Sequence, residues 1–82
     1  MMEAIILIVA RPGKENEVYE ALKAHPAVKE IYRVYGEYDV LLRIEVEDIK
    51  GLDSFHDGLL RKLGEGDIEL TETLIASTYG IK

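Results

Sequence analysis

Apolar positions along the chain switch between a period of two and a period near 3.6, and the switches lay out its elements. Residues 4–11 form a run of Ile, Leu and Val ended by Pro12-Gly13, which predicts a buried strand. From Lys14 to Ala24, Val18, Ala21 and Leu22 recur at helical spacing, with Glu15 and Glu17 near the positive end of the dipole. His25-Pro26 stops this helix. Residues 28–35 alternate again, Gly36-Glu37 suits a two-residue hairpin turn with glycine first, and residues 38–46 supply the partner strand. Asp48 is a good N-cap for a second helix, in which Ile49, Leu52, Phe55, His56, Leu59, Leu60 and Leu63 make one apolar stripe closed by Gly64. Residues 68–79, rich in Thr, Ile and Leu, predict a last strand.

The order β-α-β-β-α-β defines a ferredoxin-like α+β fold, a four-stranded antiparallel sheet with two helices on one face because crossovers are right-handed. The face away from the helices should then be polar in a monomer. Here Ile5, Leu7 and Val9 of the first strand and Leu41 of the third would lie on it, while Ile6, Ile8, Val40, Leu42, Ile44 and Val46 face the helices. A sheet apolar on both faces needs a second cover, and we expect a second copy packed sheet to sheet, the dimeric α-β barrel arrangement.

Length agrees with that expectation. The 82 residues make a single domain, 1–82, without repeat or linker, and a core this small is marginal alone. No cysteine is present to add a disulfide or a thiolate metal site, and a reducing cytoplasm is the simplest compartment. A net charge of -6 opposes contact with phosphate backbones, so direct nucleic-acid binding is not expected. The apolar run at the start is too short to cross a membrane and lacks the basic flank of a signal peptide. A single Asn, Asn16, and no Gln are compatible with a heat-adapted source.

Signatures of catalysis are missing. His25 and His56 lie in different elements without metal-ligand spacing; His25 suits the end of its helix, and His56, on the edge of the stripe, suits a half-buried structural role. Ser54 and Ser77 lack a nucleophile context, and "GEGD" at 64–67 reads as a plain loop. Tyr32, Tyr35 and Tyr38 flank the hairpin as aromatics do in RNA-binding sheets, but the surrounding charge has the wrong sign. No cofactor or metal is expected.

Asp39 stands out, a carboxylate just past the turn where an apolar residue would stabilise the sheet more. It is either a solvated hairpin-end residue, a partner for Arg43 or another cation, or one side of a ligand site. The topology sets Asp39 and Thr71 about two strand spacings, roughly 10 Å, apart at one end of the sheet, room for a small zwitterion. Its carboxylate would meet hydroxyls or free N–H groups near the glycine turn. Thr71, Thr73 and Ser77 fall on one side of the last strand; high β propensity explains them equally well.

The stretch "VYGEYDVLLRIEVEDIKGLDSF" resembles the hallmark of the effector-binding (RAM) domain of the Lrp/AsnC regulators, and "IELTETLIAS" is similar to that family's last strand. The resemblance covers nearly the whole chain. It implies transcription regulation through a domain that dimerises by its sheets, dimers that assemble further, commonly into an octameric ring, and an amino acid effector held where dimers meet, near the G-x-Y-D turn. Gly36, Tyr38 and Asp39 match that motif and Thr73 matches the final-strand threonine; Thr71 and Ser77 are added from strand geometry. Tyr35 departs from the small polar residue often found before the glycine, which reshapes the expected pocket. The regulators also carry a helix-turn-helix domain, whereas this chain starts at the first strand and looks like the effector domain alone, acting through co-assembly with full-length relatives or another partner. Two other classes stay open: a small dimeric ferredoxin-like enzyme, such as a cofactor-free oxygenase or isomerase using His56, and a structural oligomerisation unit with Asp39 in an intersubunit ion pair.

Overall fold

Strand β1 (Met2–Ala10) is apolar on both sides and occupies the interior of the sheet, where both of its edges are covered by neighbouring strands. The structure, a computed structural model, describes residues 2–75 apart from the side chain of Leu60. Around β1 lie β2 (Val28–Arg33), β3 (Val40–Val46) and β4 (Ile68–Ile75), in the order β2-β3-β1-β4 with every pair antiparallel. The first crossover contains α1 (Glu15–Lys23); the second contains α2 (Ile49–Phe55), a π-helical turn (His56–Leu60) and α3 (Arg61–Gly64). This is the ferredoxin-like arrangement expected from the hydrophobic pattern.

Alternation along β1 and β3 sends Ala4, Ile6, Ile8, Ala10, Val40, Leu42, Ile44 and Val46 to the helices, where Val18, Leu22, Leu52 and Phe55 complete one core. Each large side chain buried there contributes about 1.5–3 kcal/mol. Asp48 caps α2, its Oδ1 accepting the Gly51 N–H at 3.0 Å. The helix first meets the sheet at Gly51, where a Cβ would stand only 3.0 Å from the Cβ of Val46. Ile49 precedes that contact and is 53% exposed, so it does not belong to the buried stripe.

The opposite face has the expected apolar character. Register pairs Leu7 with Leu41 and with Glu72, Val9 with Leu70, and Ile5 with Leu74 and Arg43, all on the side away from the helices. Leu70 and Leu74 are 55% and 48% exposed, and Ile5, Leu7, Val9 and Leu41 are half-buried.

Two local expectations are corrected. The hairpin closes through the Val34 N–H donating to the Asp39 carbonyl at 2.9 Å, so its loop is residues 35–38 and not Gly36-Glu37 alone. Gly36 has φ +137°, well beyond the value near +60° of a glycine-first tight turn, and the chain makes a wider excursion that leaves Tyr35 fully exposed. The second helix is not one regular α-stripe: the Arg61 N–H donates to the His56 carbonyl, five residues back, and this π turn rotates the residues after it. The last strand is as predicted over Ile68–Ile75, and the remainder of the predicted span, Ser77 included, lies outside the described residues.

Candidate functional site

Amides along a strand point alternately to its two neighbours. The Arg11 N–H donates to the Asp67 carbonyl at 2.9 Å on the β4 side, so the Ala10 N–H faces β3. There β3 has already given way to the hairpin loop. Asp39 fills the gap: its N–H donates to the Ile8 carbonyl at 2.8 Å and its Oδ2 accepts the Ala10 N–H at 2.8 Å. Ala10 is only 4% exposed, and its amide would otherwise be buried without a partner. The β1–β4 register also shifts between Val9 and Ala10, so Asp39 secures β1 where its pairing turns irregular.

Asp39 is half-buried, and its Oδ1 meets no hydrogen-bond donor or cation among the described residues. Pairing with Arg43 is ruled out by where Arg43 is held. Its guanidinium lies on the open sheet face against Glu30 at 2.6 Å, Glu45 at 3.0 Å and Glu3. These carboxylates keep the guanidinium pKa above its usual value. In turn, hydrogen bonds from Arg43 and from the Tyr32 hydroxyl hold the Glu30 carboxyl below the usual carboxylate range.

Tyr38 leaves the loop for the same open face. Its hydroxyl donates to Glu72 Oε2 at 2.6 Å, and that carboxylate raises the phenol pKa. Since β1 runs between β3 and β4, the tyrosine crosses roughly 10 Å of sheet to make this bond. At its base, the N–H groups of Gly36, Glu37 and Tyr38 donate to nothing among the described residues.

The threonines sit elsewhere. Thr71 pairs with Ile8 and Thr73 with Ile6, which places both on the helix-facing side, at the sheet end shared with Asp39 but across the sheet from Tyr38. Thr73 Oγ1 lies 2.9 Å from His56 Nε2, so this histidine is a half-buried, hydrogen-bonded residue. Thr71 lines an open cleft of about 350 Å³ with His56, Asp57, Arg61, Ile68, Glu69 and Leu70. His25 bonds past its helix, Nδ1 accepting the Ala27 N–H at 3.0 Å, with its ring edge-on to Phe55. Among the described residues no group of His, Asp or Glu could hold a metal ion.

Thr71 and Thr73 lie on one side of their strand as predicted, but that side faces the helices and is separated by the sheet from the side chain of Tyr38. Sequence reasoning missed the Ala10 amide and Glu72. An amide carries no residue signature, and Glu72 reads as an ordinary exposed acid between threonines.

Sheet order, the single-sided helical layer and the turn laid on the end of the central strand define a ferredoxin-like α+β domain. The model of the Lrp/AsnC ligand binding domain matches residues 3–77, and the chain belongs to that family. It is 34% identical over 56 residues to the HTH-type transcriptional regulator FL11 of Pyrococcus horikoshii, a match covering 68% of this chain and 37% of that regulator. The match therefore spans little more than a third of the length of such relatives. Among solved structures, FFRP-DM1 shares 47% identity with a TM-score of 0.85, over 93% of this chain and 99% of that one. The Thermus thermophilus protein TTHA0845 shares 33% identity with a TM-score of 0.90, over the full length of both chains. A regulator from Neisseria meningitidis, NMB0573, solved as its L-Met complex, has the same fold at 20% identity and TM-score 0.79, over 94% of this chain and 50% of that one.

Proposed function

We propose that this domain is an amino-acid-binding, self-associating module of transcription regulation, working in the cytoplasm without catalysis and without touching nucleic acid itself. The observation that carries the reading is the Asp39 carboxylate, fixed through Oδ2 on the Ala10 N–H and open at Oδ1. An ammonium group would sit on Oδ1, and the uncommitted N–H groups of residues 36–38 would take the ligand's carboxylate. Membership of the Lrp/AsnC ligand binding domain family supports an effector role, and the L-Met complex of a protein with this fold supports the ligand class. Thr71 and Thr73 belong to the proposed site only through a neighbouring copy or a ligand reaching the sheet end, because in one chain they face the helices. Ser77 is kept with them on the alternation of the sequence alone.

The apolar face bearing Leu7, Val9, Leu41 and Leu70 is the proposed surface for sheet-to-sheet dimers, which assemble further, up to an octamer, or join full-length relatives that contact DNA. The chain's own charge of -6 leaves DNA contact to such a partner.

Thermal unfolding against the common amino acids, one at a time, tests the ligand claim. A ligand at a hundred times its Kd adds about 2.7 kcal/mol, which raises Tm by roughly 10–20 °C in a domain this small. Asp39→Asn keeps an acceptor for Ala10 and removes the charge, so it should lose the response while folding normally. A wild type indifferent to every amino acid, or an Asn variant that responds equally, contradicts the reading.

A further inference from the structure

Tyr38 belongs at once to the glycine turn and to the open sheet face. Its main chain is two residues from Gly36 and directly before Asp39, and its hydroxyl is bonded at 2.6 Å to Glu72 on β4. Glu72 is paired with Leu7, in the middle of the apolar open face, so the bond brings the tyrosine back across β1. Among the described residues four bonds set this turn: Val34 N–H to Asp39, Asp39 N–H to Ile8, Ala10 N–H to the Asp39 carboxylate, and Tyr38 to Glu72. The first closes the hairpin between β2 and β3, and the next two tie it to β1. Only the fourth reaches β4, across the surface that a second copy would cover.

We propose that the Tyr38–Glu72 hydrogen bond couples the glycine turn to sheet-to-sheet association, with Tyr38 as the positioning residue between the two. A copy packed on the open face would exclude water from this bond and tighten it, since a hydrogen bond to a carboxylate strengthens as the local dielectric falls. The tightened bond holds Tyr38, and with it the adjoining Asp39. Coupling is reciprocal, so anything that fixes Asp39 also favours association. The inference rests on the proposed reading for the turn being an effector site; the coupling itself is tested without any effector.

Hydrogen exchange at the Ala10 and Asp39 amides reads the turn, and sedimentation equilibrium reads association. Leu41→Lys places a charge on the open face, where Leu41 is half-buried and clear of the core. In an otherwise wild-type chain it is expected to weaken association and to speed exchange at both amides by about five-fold or more, the lower end of measured couplings. In a Tyr38→Phe background it should weaken association alone. Glu72→Gln, which keeps an acceptor, should preserve the coupling, and Glu72→Val should abolish it. Exchange that responds to Leu41→Lys equally with and without the hydroxyl overturns the proposal, as does exchange that responds in neither. Either result leaves the amino-acid response to be judged separately by thermal unfolding.

Discussion

The Asp39 carboxylate and the Ala10 amide, 29 positions apart in sequence, meet at 2.8 Å at the end of the sheet. The acid is therefore part of the β1–β3 pairing as well as a charge at a turn. The two roles use different atoms: Oδ2 serves the strand, and Oδ1 is left over.

Substitutions at Asp39 should separate those roles. Asp39→Ala leaves the buried Ala10 N–H without an acceptor and should destabilise the fold by about 1–3 kcal/mol. Asp39→Asn retains an oxygen at the same place and should cost less than half as much. Urea denaturation of the three proteins checks both, and equal losses for the two variants would mean that charge, not the hydrogen bond, stabilises the turn.

Gly36→Ala tests the backbone. Space is not the difficulty, since nothing lies within 4 Å of a Cβ built there, but φ of +137° is a region that side-chain-bearing residues rarely enter. The substitution should cost about 1–3 kcal/mol through strain alone. By contrast, a loop that refolds freely would show no loss in the same denaturation experiment, and its amides at 34 and 39 would exchange faster.

Arg43 should contribute to the acid limb of stability through Glu30. Glu30 has a folded-state pKa below its ordinary value because of Arg43 and Tyr32, so its contribution is present above the ordinary carboxylate pKa and fades as pH falls through the lowered one. Arg43→Met removes the cation from among Glu3, Glu30 and Glu45, leaving three carboxylates that repel. The variant should be less stable than wild type at pH 7 and should close that gap as pH falls into the carboxylate range, read from Tm at stepped pH. A gap independent of pH would contradict this account of the cluster.

Legibility from sequence followed the range of the interactions involved. The alternation of Ile6, Ile8, Val40, Leu42 and Ile44 against Ile5, Leu7, Val9 and Leu41 is a local pattern, and it was enough for β1, β3 and the two faces of the sheet, while the sheet order followed from the β-α-β-β-α-β order of elements. Asp48 as an N-cap is equally local. The π turn escaped because a shift from four- to five-residue bonding in His56–Leu60 leaves no mark on an apolar stripe. Likewise, Gly36-Glu37 suggests a tight turn, and only the long-range bonds of Asp39 to Ile8 and Ala10 reveal why the loop is wider. For the candidate site, the turn residues were legible as a motif, whereas the Tyr38–Glu72 bond depends on two strands lying either side of a third.

Light scattering on wild type and Asp39→Asn, each with and without the amino acid that gives the largest thermal shift, tests the central claim most directly. Wild type should be a dimer or larger ring whose mass or association constant changes with that amino acid, and the Asn variant should still associate but no longer respond. A wild-type monomer at every concentration, or an assembly that the amino acid leaves unchanged, would contradict that claim.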